Sequence, residues 1–239
     1  MTDEDGTIFF AVEYVLFRMA DEERIFFRRK LPHIQPKDSI FFITFRLHGS
    51  LPANVIASLT EEYESQMKVL KERSKMSRER FDPSAIHRWC FERFDEFLEK
   101  YSEGTTYLSR NDVAQIVADS IRFWNNKRYT LVGYCIMPNH VHLVIDIGGY
   151  INNVYKNTTS YPLSRIMETL KGYTAKSANA VLLRTGHFLQ KESYDHVVRD
   201  GNELNRIIRY VMDNPVKAGL VNSPQDWKWT YVNEKYFIL

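Results

Sequence analysis

The sequence predicts an α+β fold built on an antiparallel sheet, and three observations carry that prediction. Two β-type runs, 129–136 and 140–147, are separated only by Met137-Pro138-Asn139, a connection suited to an antiparallel hairpin and far too short for a parallel crossover. A third run, Ser39-Ile40-Phe41-Phe42-Ile43-Thr44-Phe45-Arg46, is rich in β-branched and aromatic residues. Between and after these runs, apolar residues recur at helical spacing.

In order along the chain, residues 1–30 read as an N-terminal extension ending in Arg28-Arg29-Lys30, a cluster that could touch phosphate but reads first as a solvated edge. The rest, 31–239, reads as a single domain. Pro36 precedes the first core strand, and Gly49 and Pro52 end it. From 53 to about 126 the texture is helical. The stretch 61–80 carries exposed charge pairs such as Glu64 and Lys68, and Asp82-Pro83 breaks it. The stretch 87–100 follows, with Trp89, Phe91, Phe94 and Phe97, and His87 reads as a packing histidine. Ser109 with Asp112 has the spacing of a capping box, ahead of a stripe of Val113, Ile116, Val117, Ile121 and Trp124. After the hairpin, Gly148-Gly149 and the polar 152–160 form a loop. Leu163, Ile166, Met167 and Leu170 mark a helix closed by Gly186, and 193–198 reads as a strand. Leu204, Ile207, Ile208 and Val211 stripe a final helix, which Pro215 is expected to terminate.

Composition narrows the function classes. Across 239 residues, 32 Lys+Arg against 30 Asp+Glu leave a net charge of +2, so nucleic acid would have to be held by local patches and not by a global basic field. Cys90 and Cys135 have no C-x-x-C spacing, and free thiols in a reducing cytoplasm are expected. The apolar start at 8–12 is interrupted by Glu13 and Arg18, so neither a signal peptide nor a membrane span is expected.

The chemistry is concentrated in Met137-Pro138-Asn139-His140-Val141-His142-Leu143-Val144. A strand sends alternate side chains to one face, so His140 and His142 project together while Val141 and Leu143 turn away. Two imidazoles in fixed relation supply part of the coordination sphere of a divalent metal. Two surface histidines on a polar strand face would carry the same spacing. On the final helix, Tyr210 and Asn214 stand at i and i+4 and share one flank beside the apolar stripe. A boundary aromatic with a helix-capping asparagine fits that segment equally.

Taken together, the two motifs resemble the HUH single-tyrosine transposases, and within them the REP-associated tyrosine transposase branch. His140-Val141-His142 with its flanks matches the family's His-hydrophobic-His motif. Tyr210-Val-Met-Asp-Asn214-Pro215-Val-Lys217-Ala-Gly219-Leu-Val resembles the branch's tyrosine motif. Lys171-Gly172, Phe188-Leu189-Gln190, Tyr194-Asp195-His196, Arg199-Asp200 and the tail Asp226-Trp227-Lys228-Trp229-Thr230 fit as well. The resemblance covers roughly 31–235 apart from an enlarged helical insertion at about 53–126. It departs at Leu189, where the branch carries tryptophan before the glutamine.

The resemblance implies a ferredoxin-like antiparallel sheet with packed helices, and DNA-strand cleavage and rejoining. It implies that His140 and His142 hold Mg²⁺ or Mn²⁺, and that Tyr210 attacks the phosphate to leave a 5′-phosphotyrosine. Asn214 would be a third oxygen ligand or would orient the tyrosine. Tyr173 and Tyr194 are rival nucleophiles that lack the following Asn-Pro pattern. Single-stranded or hairpin DNA is the implied substrate, with Lys171, Lys176, Arg199 and Lys217 as candidate phosphate contacts. His196 is expected to bind DNA or to pack locally. Some relatives assemble active sites across a dimer, which puts a homodimer among the expectations. Two other readings stand beside this one: a metal-dependent nuclease in which the histidines activate water, and a domesticated DNA-binding protein that no longer cleaves.

Overall fold

The computed structural model describes residues 13–16, 27–30, 40–77, 84–100, 104–150, 162–191 and 193–236. The expected loop at 152–160, the break at Asp82-Pro83 and the side chains of Arg28, Arg29, Lys30 and His87 lie outside them. Near the N-terminus, β1 (Glu13–Leu16) and β2 (Phe27–Lys30) pair antiparallel as a two-stranded sheet of their own.

The main sheet contains β3 (Ile40–Arg46), β4 (Thr130–Ile136), β5 (His140–Asp146), β6 (Tyr194–Val197) and β7 (Thr230–Val232), in the spatial order β6-β3-β5-β4-β7. Every pairing is antiparallel. Numbered by themselves, the first four strands lie in the order 4-1-3-2 with helices between the first and second and between the third and fourth. That is the ferredoxin-like βαββαβ arrangement, to which β7 adds an outer strand along β4. β5 is central, and the chain reaches it through a tight hairpin closed by the Met137 N–H donating to the His140 carbonyl at 2.9 Å.

Five α-helices accompany the sheet among the described residues: α1 (Ala53–Ser77), α2 (Ser84–Lys100), α3 (Asn111–Trp124), α4 (Pro162–Val181) and α5 (Gly201–Lys217). Strand alternation sorts the core into two halves. Phe41, Ile43 and Phe45 with Val141, Leu143 and Ile145 face α3 and α4, burying Val113, Val117, Ile121, Ile166 and Leu170. The other face presents Phe42, Val132, Cys135 and Val144 to Ile208 and Val211 of α5 and to Phe91 of α2. α3 therefore runs where the first crossover helix of this topology belongs. α1 and α2 are an added pair between β3 and α3, packed on each other through Leu51, Ile56 and Leu98.

Gly133 is required by close approach, because β4 and β5 shift register between Leu131 and Gly133 and a Cβ there would meet the Tyr231 carbonyl oxygen at 3.0 Å. No described helix is long and apolar enough to cross a membrane. Cys90 and Cys135 are free and buried, and burial pushes both thiols up to about 12.

Three local expectations are corrected. Pro215 does not end the last helix; it lies inside it, two residues before Lys217 closes it. Beyond the C-cap Ala218, Gly219, with a φ of +68°, allows the Leu220 N–H to reach the Pro215 carbonyl and the Gly219 N–H to reach the Val216 carbonyl, a Schellman closure. Ser109 and Asp112 do not form a capping box: Ser109 donates to the Thr106 carbonyl, while Asp112 takes a bidentate pair from Arg110 and the Val113 N–H. α4 ends at Val181, before Gly186, because Leu183 itself takes the left-handed conformation at φ 51°.

Candidate active site

His140 and His142 are fully buried on β5, with backbone pairing on both sides. Register places Arg46 opposite His140 and Thr44 opposite His142, on the face covered by α5 and α2. Each ring is fixed through Nδ1. The Asn139 amide donates to the Leu98 carbonyl at 2.8 Å, which leaves its Oδ1 to accept from His140 Nδ1 at 2.7 Å. His140 therefore carries its proton on Nδ1 and presents a bare lone pair at Nε2. His142 Nδ1 is 2.8 Å from the Thr44 hydroxyl.

The two Nε2 atoms converge to 3.0 Å. Asn214, on α5, brings its amide to 3.2 Å from His142 Nε2, and Asp95, on α2, brings Oδ1 to 3.5 Å from His142 Nε2 and 3.9 Å from His140 Nε2. Asp95 Oδ1, Asn214 Oδ1 and the Tyr210 hydroxyl are buried without a hydrogen-bond partner. Burial holds both imidazoles neutral, His140 down to about 3 and His142 well below its ordinary range, where neighbouring His140 and Lys217 add to the effect. Burial also pushes the Asp95 carboxyl well above the usual range, with Glu99 adding and the Asn214 amide and Lys217 opposing.

The 3.0 Å contact between the Nε2 atoms fits either of two arrangements: His142 Nε2–H donating to the bare His140 Nε2, or a metal ion shared by both nitrogens. The donor set fits a cation. Ligand atoms of Asp95, His140 and His142 lie within 4.8 Å of one another. Neighbouring ligands of an octahedral ion with bonds of about 2.1 Å stand ~3.0 Å apart, the spacing of the Nε2 pair. Neutral imidazoles and orphaned carboxylate and amide oxygens are what a borderline-hard divalent ion takes.

Tyr210 sits one helical turn before Asn214, its ring 5.3 Å from the His142 ring and 6.0 Å from Phe42. Its ring is half-buried and its hydroxyl is turned inward. A phenol thus stands beside two converging imidazoles, in the chain order His-x-His and then Tyr-x-x-x-Asn. Residues 101–214 match the family described as "Transposase IS200 like".

The similarity to that family thus takes in both histidines, Tyr210 and Asn214. The chain is also similar to a putative REP-associated tyrosine transposase of Haemophilus influenzae, 27% identical over 103 residues, which are 43% of this chain and 58% of that protein. This chain therefore spans less than two thirds of that relative's length. Among solved structures it is similar to a REP-associated tyrosine transposase bound to a REP hairpin, with TM-score 0.42 and 12% identity over 89% of this chain and 82% of the other.

His140, His142, Tyr210 and Asn214 come together in the structure, as the strand and helix spacing lead one to expect. Of the candidate cations, Lys217 joins them, its Nζ 4.8 Å from the centroid of the Tyr210 ring. Lys171 reaches across from α4 to the Lys191 carbonyl and the Ser193 hydroxyl beside the start of β6. Lys176 is exposed on α4, and Arg199 is exposed at the end of the sheet away from the histidines, its backbone N–H donating to Glu203. Tyr173 is exposed on α4, whereas Tyr194 stacks on Phe91 at 4.2 Å. His196 pairs with Glu203 at 3.0 Å, which gives it a local packing role.

Asp95, Thr44 and Asn139 were missed as contributors to this site. Asp95 had a readable signal: Phe91, Asp95 and Leu98 share one face of α2 at i, i+4 and i+7, so a carboxylate interrupts an apolar stripe. It lies outside the segment that matches the family.

Proposed function

We propose that the chain is a metal-dependent DNA strand transferase that cleaves and rejoins single-stranded or hairpin DNA through Tyr210. The observation that carries this reading is the buried Tyr210 hydroxyl, without a hydrogen-bond partner, beside the paired imidazoles inside the family-matched segment. In the reaction the Tyr210 oxygen forms a bond to phosphorus as the P–O3′ bond breaks. The 3′ oxygen leaves and takes up a proton, and the 5′ end stays on the tyrosine. The phosphodiester energy is kept in the phosphotyrosine, so a 3′-OH can reverse the step and rejoin strands without a nucleotide cofactor.

His140, His142 and the Asn214 amide oxygen would hold Mg²⁺ or Mn²⁺, which polarises a non-bridging phosphate oxygen when bound. Thr44 and Asn139 hold the imidazoles in the orientation this requires. Lys217 places positive charge beside the attacking group. Lys171, Lys176 and Arg199 are proposed as phosphate contacts farther along the strand. The chain boundaries proposed are an extension at 1–30 and one transposase domain at 31–239.

The test is a denaturing-gel assay with labelled hairpin-flanked single strands and Mn²⁺ or Mg²⁺. A protein–DNA adduct that requires metal and is lost in Tyr210→Phe supports the reading. Cleavage that persists in Tyr210→Phe without an adduct overturns it in favour of water activation, and binding without cleavage in favour of a domesticated DNA binder.

A further inference from the structure

We infer that Asp95 is a protein ligand of the metal, and that through it the cation ties the added helices α1 and α2 to the catalytic sheet. The inference rests on the metal-dependent reading above. Asp95 and its helix lie outside the family-matched segment. Asp95 is 3% exposed and its Oδ1 accepts no hydrogen bond, yet that oxygen stands 3.5 and 3.9 Å from the two Nε2 atoms. Asn214 Oδ1 is orphaned as well, while its Nδ2 faces His142 Nε2 at 3.2 Å. The two imidazole Nε2 atoms and the buried Asp95 oxygen thus lie within 4.8 Å of one another. A buried carboxylate in that position is costly unless a cation shares it.

The mechanical consequence follows from where Asp95 sits. α2 is the element that covers the site: Phe91, one turn before Asp95, packs on Tyr194 at 4.2 Å and edge-on against Phe42 at 5.5 Å. The Leu98 carbonyl, on the next turn, takes the Asn139 amide that also orients His140. To these contacts a cation held by Asp95 would add a direct link between α2 and the histidines. Anything that binds one arrangement and not another stabilises it, so metal loading and docking of α2 are linked. The added pair is then part of the active site, more ordered with metal than without.

The experiment uses the full chain and Mn²⁺ alone, with no DNA. Calorimetric titration compares wild type with Asp95→Asn, and hydrogen exchange is followed with and without Mn²⁺. Asp95→Asn is expected to weaken Mn²⁺ binding roughly tenfold or more, at least the loss seen when outer partners of a ligand are removed. In wild type, Mn²⁺ should slow exchange across 84–100 as well as in β5 and α5, and in Asp95→Asn the slowing at 84–100 should vanish. Equal Mn²⁺ affinity in the two proteins overturns the inference. So does wild-type protection confined to β5 and α5, a measurement that needs no variant to fold. A wild-type protein whose α2 responds to Mn²⁺ but which forms no tyrosine adduct supports this inference while removing the transferase reading. An adduct-forming protein whose α2 ignores Mn²⁺ does the reverse.

Discussion

The ammonium of Lys217 stands 4.8 Å from the centroid of the Tyr210 ring, two turns farther along α5. The same charge is felt by His142, which it discourages from protonating, and by the carboxyls of Asp95 and Glu99, which it helps to ionise. Of the four cations expected from sequence to meet phosphate, Lys217 is the one placed beside the proposed nucleophile. Negative charge grows there as a phenol attacks a phosphodiester, so a fixed cation favours the transition state over the ground state. Lys217→Gln should slow adduct formation by roughly tenfold or more. Mn²⁺ affinity should stay the same or tighten, because a competing positive charge has gone. Equal single-turnover rates in wild type and variant would remove Lys217 from the chemistry.

Tyr210→Phe separates the nucleophile's chemistry from its packing. The ring keeps its contacts with His142, Phe42 and Phe91, while the hydroxyl it loses is buried and makes no hydrogen bond. A buried hydroxyl without a partner costs about 1–3 kcal/mol, so the variant should melt at or above the wild-type temperature while forming no adduct. A clear drop in melting temperature would mean that the hydroxyl has a structural partner.

Much of this arrangement is written in local pattern. Alternation in 39–46 and 140–147, with a hairpin too short to cross over, leads to an antiparallel pair with both histidines on one face, and that is how β3, β4 and β5 lie. The i, i+4 spacing likewise brings Tyr210 and Asn214 to one flank. Asp95 was not legible in this way, because its meeting with His140 joins elements far apart in the chain and depends on how an added helix docks. Thr44 was hidden for a similar reason: its role comes from strand register, which pairs it with His142 across β3 and β5. Pro215 misled because a proline forfeits its own N–H bond to the preceding turn without ending the helix, which runs on to Lys217. Beyond it, Gly219 supplies the turn.

Thr44→Val tests whether orientation of a ligand matters as much as its presence. The substitution keeps the β-branched shape that the strand favours and removes only the hydroxyl 2.8 Å from His142 Nδ1. His142 is then free to change tautomer, and its Nε2 is no longer held toward His140. Mn²⁺ affinity should fall by roughly 10- to 100-fold. Circular dichroism should be unchanged. Unaltered affinity would mean that burial alone fixes the ring.

The pH dependence of stability in metal-stripped protein follows from the same buried rings. His140 titrates at about 3 when folded against 6.5 for the ordinary side chain, and His142 is displaced the same way. Between those values the unfolded chain binds protons that the folded chain refuses, so stability falls as pH drops through 6.5 toward 3. Asp95 acts with the opposite sign. Its raised folded pKa lets the native protein keep a proton that the unfolded chain has lost, which favours folding as pH falls toward the ordinary carboxylate range. Two histidines outweigh one aspartate, so the melting temperature should decline between roughly pH 7.5 and 5. The loss is equivalent to a few kcal/mol at most, because a tenfold difference in proton affinity between folded and unfolded chain is worth about 1.4 kcal/mol. His140→Gln should flatten that decline, and Asp95→Asn should steepen it. Adding Mn²⁺ should steepen it as well, because a metal requires deprotonated ligands. If His140→Gln leaves the slope unchanged, His140 is not the buried neutral base that its partners, Asn139 on one nitrogen and His142 on the other, make it.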